Sequence, residues 1–199
     1  MLIRADDQIA LIGKKMTGKS TLAKILIDQI TDRPLWIYDY CFDYSHFKER
    51  CEVYYNMKYG EVSEAETFMR AAYRRRNCFC IFDEVDNYFK ISNKFLIRFT
   101  TTCRNFGIGY IAIGKRAKAF WPDVRAQIST IYAFQLASPE DIEYLEKWLE
   151  YPNGYLNVLR TLEQGEFIIF DVNHTHTPDG KPYHSKIMSY PAEYVKKFN

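Results

Sequence analysis

The sequence predicts an α/β protein with a mostly parallel central sheet that carries helices on both faces. Short apolar segments alternate with amphipathic segments along most of the 199 residues, which is the pattern of repeated strand–helix units. The apolar segment 78–82 ends in two adjacent acids, as expected for a buried parallel strand with polar side chains at its carboxyl end. A chain of this length buries one α/β core well but is too short for two. We therefore expect a single domain, with a nucleotide-binding core over residues 1–137 and a C-terminal helix and hairpin extension over residues 138–199.

Local patterns predict the elements of the first half. Residues 9–12 form a short apolar strand, and an amphipathic helix begins near residue 21. Ser63 and Glu66 have the spacing of a capping box, so a second helix should open there. That helix should end at three arginines, whose charges suit a helix C-terminus. The other strands predicted in this half are residues 33–39, a short extended stretch at 52–55 and residues 78–82.

Glycine and proline mark the elements of the second half. Gly107 and Gly114 bracket an apolar strand, and Ser138 followed by Pro139 is typical of a helix start. The predicted helices are residues 94–103 and 138–149, the predicted strands are 107–114 and 129–136, and a closing hairpin joins 166–172 to 183–189 through a turn at 178–180.

Composition excludes little beyond a membrane-spanning or secreted chain. The net charge of +2 is too small to identify a nucleic-acid partner. No apolar run reaches 18 residues and no signal-peptide pattern opens the chain, so we expect an intracellular protein without stable membrane insertion. Reduced cysteines are expected, with Cys78 and Cys80 on one face of a buried strand. A Cys41–Cys51 disulfide stays open as the alternative, because intracellular disulfides do occur in hyperthermophiles.

The segment between the first strand and the first helix has the spacing G-x-x-x-x-G-K-[ST]. Such a loop turns its backbone N–H groups toward phosphate oxygens, while Lys19 adds positive charge and Ser20 offers a hydroxyl to Mg²⁺. The strand before it and the helix after it supply the context that this motif requires. The sequence therefore predicts a nucleoside triphosphate and Mg²⁺ as ligands. The predicted phosphate-contacting residues are Gly13, Lys14, Lys15, Met16, Thr17, Gly18, Lys19, Ser20 and Thr21. Lys14 and Lys15 either contact phosphate or point to solvent.

Asp83 and Glu84 supply the second half of such a site. A Mg²⁺-bound triphosphate needs a carboxylate near the metal, and hydrolysis needs a group that orients the attacking water. We expect Asp83 to help Ser20 bind the metal and Glu84 to polarise the water. The alternative is that both acids merely open the next helix.

Residues 104–116 carry a family resemblance. Arg104-Asn105-Phe106-Gly107-Ile108, the apolar strand after it and the ending Gly114-Lys115-Arg116 resemble the R-x-x-G-[IV], strand and T-Q-R pattern of the FtsK/HerA superfamily of DNA-pumping ATPases. With the loop and the acids in matching order, the resemblance spans about residues 5–150. The small size is most similar to genome-packaging ATPases of tailless icosahedral viruses with an internal membrane, especially turriviruses of the Sulfolobus type.

The resemblance implies a fold, an activity and partners. The fold is a RecA-like core with strand order 5-1-4-3-2. The activity is ATP hydrolysis coupled to translocation of double-stranded DNA into a preformed capsid. The partners are DNA, identical subunits in a pentameric or hexameric ring, and a viral capsid or internal-membrane vertex. The implied location is the host cytoplasm or the virion.

The resemblance also assigns roles to residues. Lys19 and Glu84 take catalytic roles at the γ-phosphate, and Arg104 falls where these pumps place an arginine finger that enters the neighbouring subunit's site. The alternative for Arg104 is a cation that interacts with helix-end carbonyls. Lys115 occupies the position where the family usually has a glutamine that senses the γ-phosphate. A lysine can supply charge there but cannot accept a hydrogen bond from water.

DNA contact in a ring requires cations that face the channel. The candidates are Arg116 and Lys118 after the 107–114 strand, together with Arg74, Arg75 and Arg76. The alternative for both groups is a solvated surface, and a helix end already accounts for the three arginines.

Two other functions share the loop and the acids. A small-molecule kinase also binds ATP on such a loop, but it needs a dry site where this chain places a water-polarising glutamate. A DNA-associated nucleotide switch, such as a partition or tethering ATPase, could use the same residues without moving DNA.

Overall fold

The computed structural model describes residues 3–4, 6–56, 62–89 and 93–190. Its strands are Gln8–Ile12 (β1), Leu35–Asp39 (β2), Val53–Asn56 (β3), Phe79–Phe82 (β4), Gly109–Gly114 (β5), Thr130–Ala133 (β6), Glu166–Asp171 (β7) and Met188–Ser189 (β8). Its α-helices are Lys19–Asp28 (α1), Val62–Arg75 (α2), Lys94–Thr102 (α3), Pro122–Arg125 (α4) and Pro139–Leu149 (α5).

The described strands form one sheet in the order β3-β2-β4-β5-β1-β6-β7-β8. All neighbours from β3 to β6 pair in parallel, whereas β7 is antiparallel to β6 and to β8. When the five expected core strands (β1, β2, β4, β5 and β6) are numbered in chain order, they follow the order 5-1-4-3-2. The expected core is therefore confirmed, and the sheet extends beyond it by β3 at one edge and by β7 and β8 at the other.

Helices cover both faces of the sheet because its central strands are apolar on both sides. Every residue of β1, β4 and β5 is buried. One face packs on α1 through Leu22 and Leu26, and the opposite face packs on Phe68 of α2, Leu96 of α3 and Leu145 of α5. Parallel sheets covered in this way carry their sites at the carboxyl ends of the strands. The β1, β4 and β5 ends therefore bound the region of interest.

Two sequence predictions differ from the structure in detail. Helix α2 already includes Val62, so Ser63 lies one residue inside the helix and is not its N-cap. The second strand of the closing hairpin covers only Met188–Ser189 instead of 183–189. Its preceding segment instead forms a tight local bridge between His176 and Pro182, and proline lacks the N–H that a regular ladder needs. All five cysteines are free thiols, so the Cys41–Cys51 disulfide is not formed, and Cys78 and Cys80 share one core face as expected.

None of the helices among the described residues has both the length and the apolar character needed to cross a membrane.

Candidate functional site

The glycine-rich loop is fastened to the carboxyl ends of two neighbouring strands. The Gly13 N–H donates to the Gly114 carbonyl at 3.3 Å, and the Lys14 N–H donates to the Gln135 carbonyl at 2.9 Å. A Cβ on Gly13 would lie 2.6 Å from the Cβ of Phe134. Glycine is therefore required at residue 13 by the close approach of β6.

The loop turns back on itself before α1. Met16 has φ +62° and forms the exposed tip, and Gly18 has φ +102° immediately before the helix. The Thr17 hydroxyl and the Lys19 ammonium both donate to the Lys14 carbonyl, at 2.9 and 2.7 Å. Burial lowers the pKa of Lys19 to about 8, although the charges of Glu84 and Asp86 oppose this shift. Helix α1 has no acid in its first turn, so the positive end of its dipole faces an anion bound at the loop together with Lys19.

The side chains of Lys14 and Lys15 are exposed, so in this structure they point to solvent. The rest of the loop faces a cavity of about 280 Å³. Its lining comprises Met16, Gly18, Lys19, Ser20, Thr21, Asp43 and Gln164.

The two acids that end β4 differ in their surroundings. Asp83 is 2% exposed and accepts a hydrogen bond from the Cys41 N–H at 3.2 Å. Burial, followed by the charge of Glu84, raises the pKa of Asp83 to about 7. Glu84 leaves the strand with φ +52° and opens a 3₁₀ turn, Val85–Asn87, so the acids both end the strand and precede a short helical turn. A left-handed non-glycine residue costs about 1–3 kcal/mol and is commonest at functional sites.

Lys115 connects the end of β5 to the end of β4. Its ammonium forms an ion pair with Glu84, whose side chain is 15% exposed. Burial alone would lower the pKa of Lys115, but the hydrogen bond and charge of Glu84 outweigh it and raise the pKa. The Asp86 carboxylate accepts the N–H groups of Lys115 and Arg116 at 2.6 and 3.2 Å. The segments after β4 and β5 are thus held together around Glu84.

Ser20 and Asp83 are the residues that could hold Mg²⁺. No group of three or more metal-ligating His, Cys, Asp or Glu side chains occurs in the part of the chain that the structure describes. Mg²⁺ in nucleotide sites is bound by one or two protein oxygens and by the phosphates, with water completing the octahedron. One hydroxyl and one carboxylate at the end of a buried strand therefore fit this ion.

Arg104 lies at the opposite end of the sheet from the loop. It belongs to the 3₁₀ turn Cys103–Phe106 that precedes β5, and its guanidinium is 3.6 Å from the carboxylate of Asp6, just before β1. The five residues of β1 separate Asp6 from the loop, which is roughly 16 Å at 3.3 Å per residue. Half of the Arg104 side chain is exposed. Arg104 therefore cannot reach the glycine-rich loop of its own chain, but a neighbouring molecule can approach it.

The candidate DNA-contacting cations have internal partners in most cases. Arg116 pairs with Asp141 at 3.1 Å, and Lys118 pairs with Glu140 at 3.1 Å. At the C-terminal end of α2, Arg75 pairs with Glu52 at 2.8 Å, and Arg76 lies 4.6 Å from the ring centre of Phe106. Arg74 is exposed. Of the five cations, Arg74 is thus the one for which the structure records no protein partner among the described residues.

Four residues at the site were missed by sequence reasoning. Cys41 acts through its backbone N–H, and the Asp86 carboxylate accepts the backbone N–H groups of Lys115 and Arg116, so neither contact belongs to a side-chain motif. Gln164 and Tyr190 come from the closing hairpin region, more than 140 residues beyond the loop. In the sequence, the local signal of a turn before β7 was Gly165, which lies between the polar residues Gln164 and Glu166. Its backbone is left-handed in the structure.

No protein-family model matches the chain, and its sequence matches no curated protein. Solved structures do match. The genome packaging NTPase B204 from Sulfolobus turreted icosahedral virus 2, in complex with AMPPCP, superposes with a TM-score of 0.73 at 21% identity over 94% of this chain and 100% of that chain. B204 from Sulfolobus turreted icosahedral virus, a DNA-packaging ATPase, gives 0.73 at 22% identity over 92% and 98%.

A further solved structure matches at lower sequence identity. ATPases 2 and 3 of EssC from Geobacillus thermodenitrificans give a TM-score of 0.65 at 12% identity, over 97% of this chain and 42% of that chain. The resemblance drawn from residues 104–116 is thus confirmed at the level of the fold. The protein has the P-loop ATPase fold that the viral genome packaging NTPase B204 and the EssC ATPases share.

Proposed function

We propose that this chain is an ATP-hydrolysing motor that translocates double-stranded DNA into a preformed viral capsid. The observation that carries the proposal is the division of the catalytic residues between two ends of the sheet. Lys19, Asp83 and Glu84 meet at one end, whereas Arg104 lies exposed at the other. One subunit therefore carries the phosphate-binding part of one site and the arginine that would complete a neighbour's site. This arrangement suits a ring of identical subunits and not a monomeric enzyme.

The chemistry assigned to each residue follows from its position. Lys19 and the backbone N–H groups of residues 18–21 neutralise and orient the phosphates. Mg²⁺, held by Ser20 and Asp83, would supply further charge neutralisation at the phosphate oxygens. Glu84 polarises the attacking water, and Arg104 of a neighbouring subunit stabilises charge on the transferring phosphoryl group.

The fold likeness to B204, a DNA-packaging ATPase, supports a pump of viral DNA. The proposal includes a pentameric or hexameric ring at a capsid or internal-membrane vertex, with the host cytoplasm or virion as its location. Arg74, Arg75, Arg76, Arg116 and Lys118 remain the proposed DNA contacts. Contacts of this kind would be made to phosphates and would therefore be independent of DNA sequence.

A nucleotide switch that tethers DNA is the second candidate. It would use the same loop and acids without moving DNA, and the pairing of Arg116 with Asp141 and of Lys118 with Glu140 leaves these cations less available for the repeated phosphate contacts that translocation requires.

Movement along immobilised duplex DNA separates the motor from the switch. We expect the wild-type ring to translocate processively with ATP, and the Glu84→Gln ring to bind DNA without moving. Steady DNA-stimulated hydrolysis without any movement would reject the motor in favour of the switch.

Lys115→Ala should reduce ATP turnover about 10- to 100-fold, while the Kd for ATP changes less than about twofold. The reason is that Lys115 holds Glu84 in place and adds charge near the γ-phosphate, whereas most of the phosphate contacts come from the loop and Lys19. Phosphate release and nucleotide titration measure the two quantities.

Two further variants serve as controls for the Lys115→Ala substitution. Lys115→Gln should recover part of the lost turnover, because an amide can also hydrogen-bond Glu84 and orient water. Lys147→Ala removes an exposed Lys–Glu pair on α5, the pair with Glu143, and should leave turnover unchanged. Unchanged turnover in Lys115→Ala would remove the residue from the mechanism.

A further inference from the structure

The turn before β7 is fastened to the phosphate-binding loop. The Gly165 N–H donates to the Thr17 carbonyl at 3.0 Å, and both residues are buried. This bond joins two segments that are almost 150 residues apart in sequence. The loop is therefore braced from the side of the sheet that carries β6 and β7.

Tyr190 strengthens the same contact from the end of the hairpin. Its hydroxyl lies against both Gly18 and Gly165, at the place where a side chain on Gly18 would project. Its ring packs on the core cluster of α1. Gly18 is therefore required for its positive φ and also for the space that Tyr190 fills.

The fastened turn brings Gln164 to the cavity wall. Gln164 lines the cavity together with Thr21, the first residue after the G-x-x-x-x-G-K-[ST] motif. Within the described part of the chain, the Gln164 side-chain amide has no recorded hydrogen-bond partner. A carboxamide can donate and accept hydrogen bonds at the same time, so it suits a ligand that carries both kinds of group.

The two ends of the cavity have different chemistry. Asp43 marks the metal end, because it lines the cavity two residues beyond Cys41, whose N–H donates to the Asp83 carboxylate. Glu84 and Lys115 follow β4 and β5, on one side of β1, whereas Gln164 precedes β7, on the other side. A triphosphate whose γ-phosphate faces Glu84 therefore extends its nucleoside toward Gln164.

We propose that Gln164 hydrogen-bonds the nucleoside of the bound triphosphate, and that Gly165 and Tyr190 hold this contact in register with the phosphate-binding loop. This inference rests on the proposed nucleotide site. It adds a part of the ligand that the loop motif does not read, since the loop contacts only phosphates.

Binding of ATP and of inorganic triphosphate to the full chain distinguishes the proposed nucleoside contact from the phosphate site on which it rests. Gln164→Ala should weaken ATP about 3- to 10-fold, the effect of one neutral hydrogen bond, and leave inorganic triphosphate unchanged. Gln127→Ala changes a glutamine at the opposite end of β6 and should alter neither affinity. Because the Gln164 side chain is exposed, its removal should not affect folding.

The pattern over several nucleotides identifies the group that Gln164 contacts. An equal loss for ATP, GTP and UTP would assign the ribose, and a loss confined to ATP would assign the base; both support the proposal. Unchanged ATP binding, or an equal loss for ATP and inorganic triphosphate, would overturn it. A wild-type chain that binds neither ligand would instead reject the nucleotide site itself.

Tyr190→Ala separately tests the contact between the turn at Gly165 and the phosphate-binding loop. Because Tyr190 supports the loop and does not line the cavity, its loss should weaken ATP and inorganic triphosphate by the same factor. A Tyr190→Ala protein that melts like wild type and binds both ligands normally would show that the fastening does not matter.

Discussion

Glu84→Gln should lower steady-state ATP hydrolysis by about 10²- to 10⁴-fold and leave ATP affinity within about twofold of wild type. Glutamine has the shape of glutamate but cannot accept a proton from the attacking water. The loss should appear in the turnover number alone, because the loop and Lys19 contact the phosphates, whereas Glu84 acts on the attacking water. Phosphate release at saturating ATP and equilibrium nucleotide titration measure the two effects.

A matched exposed glutamate provides the control for this substitution. Glu143→Gln removes the same charge from the surface of α5, where Glu143 pairs with Lys147, and should leave hydrolysis unchanged. Asp86 is the nearest other acid after β4, but its carboxylate already accepts the N–H groups of Lys115 and Arg116. Normal turnover in Glu84→Gln would therefore mean that water activation does not come from the end of β4.

The parts of the site that the sequence predicted are those encoded by local patterns. The loop can be recognised from its own residue spacing, and Asp83 and Glu84 can be recognised from the apolar strand that they end. Both patterns fix side chains relative to a single strand, so the parallel order of the sheet brings them to one edge without further information. Lys115, in contrast, was singled out by the resemblance of residues 104–116 to the FtsK/HerA pattern, and the end of β5 places it at the same edge beside Glu84.

The parts that the sequence did not predict depend on contacts between distant segments. The pairing of Arg116 with Asp141 joins two elements 25 residues apart, and no pattern in either element indicates it. The bond from Gly165 to Thr17 and the position of Tyr190 need the sheet to extend beyond its core by the closing hairpin. Such contacts follow from how elements pack and not from their own periodicity, so a single sequence leaves them open.

Arg104→Ala should reduce hydrolysis by the assembled ring about 10³-fold, the lower bound for an arginine finger. Among the residues that the structure describes, the Arg104 side chain makes one exposed ion pair, with Asp6, so the substitution should change stability by less than about 1 kcal/mol. The large effect on turnover and the small effect on stability distinguish a catalytic role from a structural one. Thermal melting and ATP turnover of the same preparation measure both.

Asp6→Asn is the matched control, because it removes the internal ion pair and leaves Arg104 in place. It should keep near-normal turnover if Arg104 serves a neighbour. Equal losses in Asp6→Asn and Arg104→Ala would instead mean that the ion pair supports the fold at the start of β1.

Mixed rings test directly whether Arg104 acts on a neighbouring site. A Glu84→Gln subunit retains its Arg104, and an Arg104→Ala subunit retains its Glu84, so one kind of interface in a mixed ring contains both functional groups. Rings assembled from an equal mixture of dissociated subunits should hydrolyse ATP faster than either variant alone. Such recovery is impossible if each subunit completes its own site, because every subunit in the mixture lacks one of the two residues. The roughly 16 Å between Asp6 and the loop leads us to expect recovery.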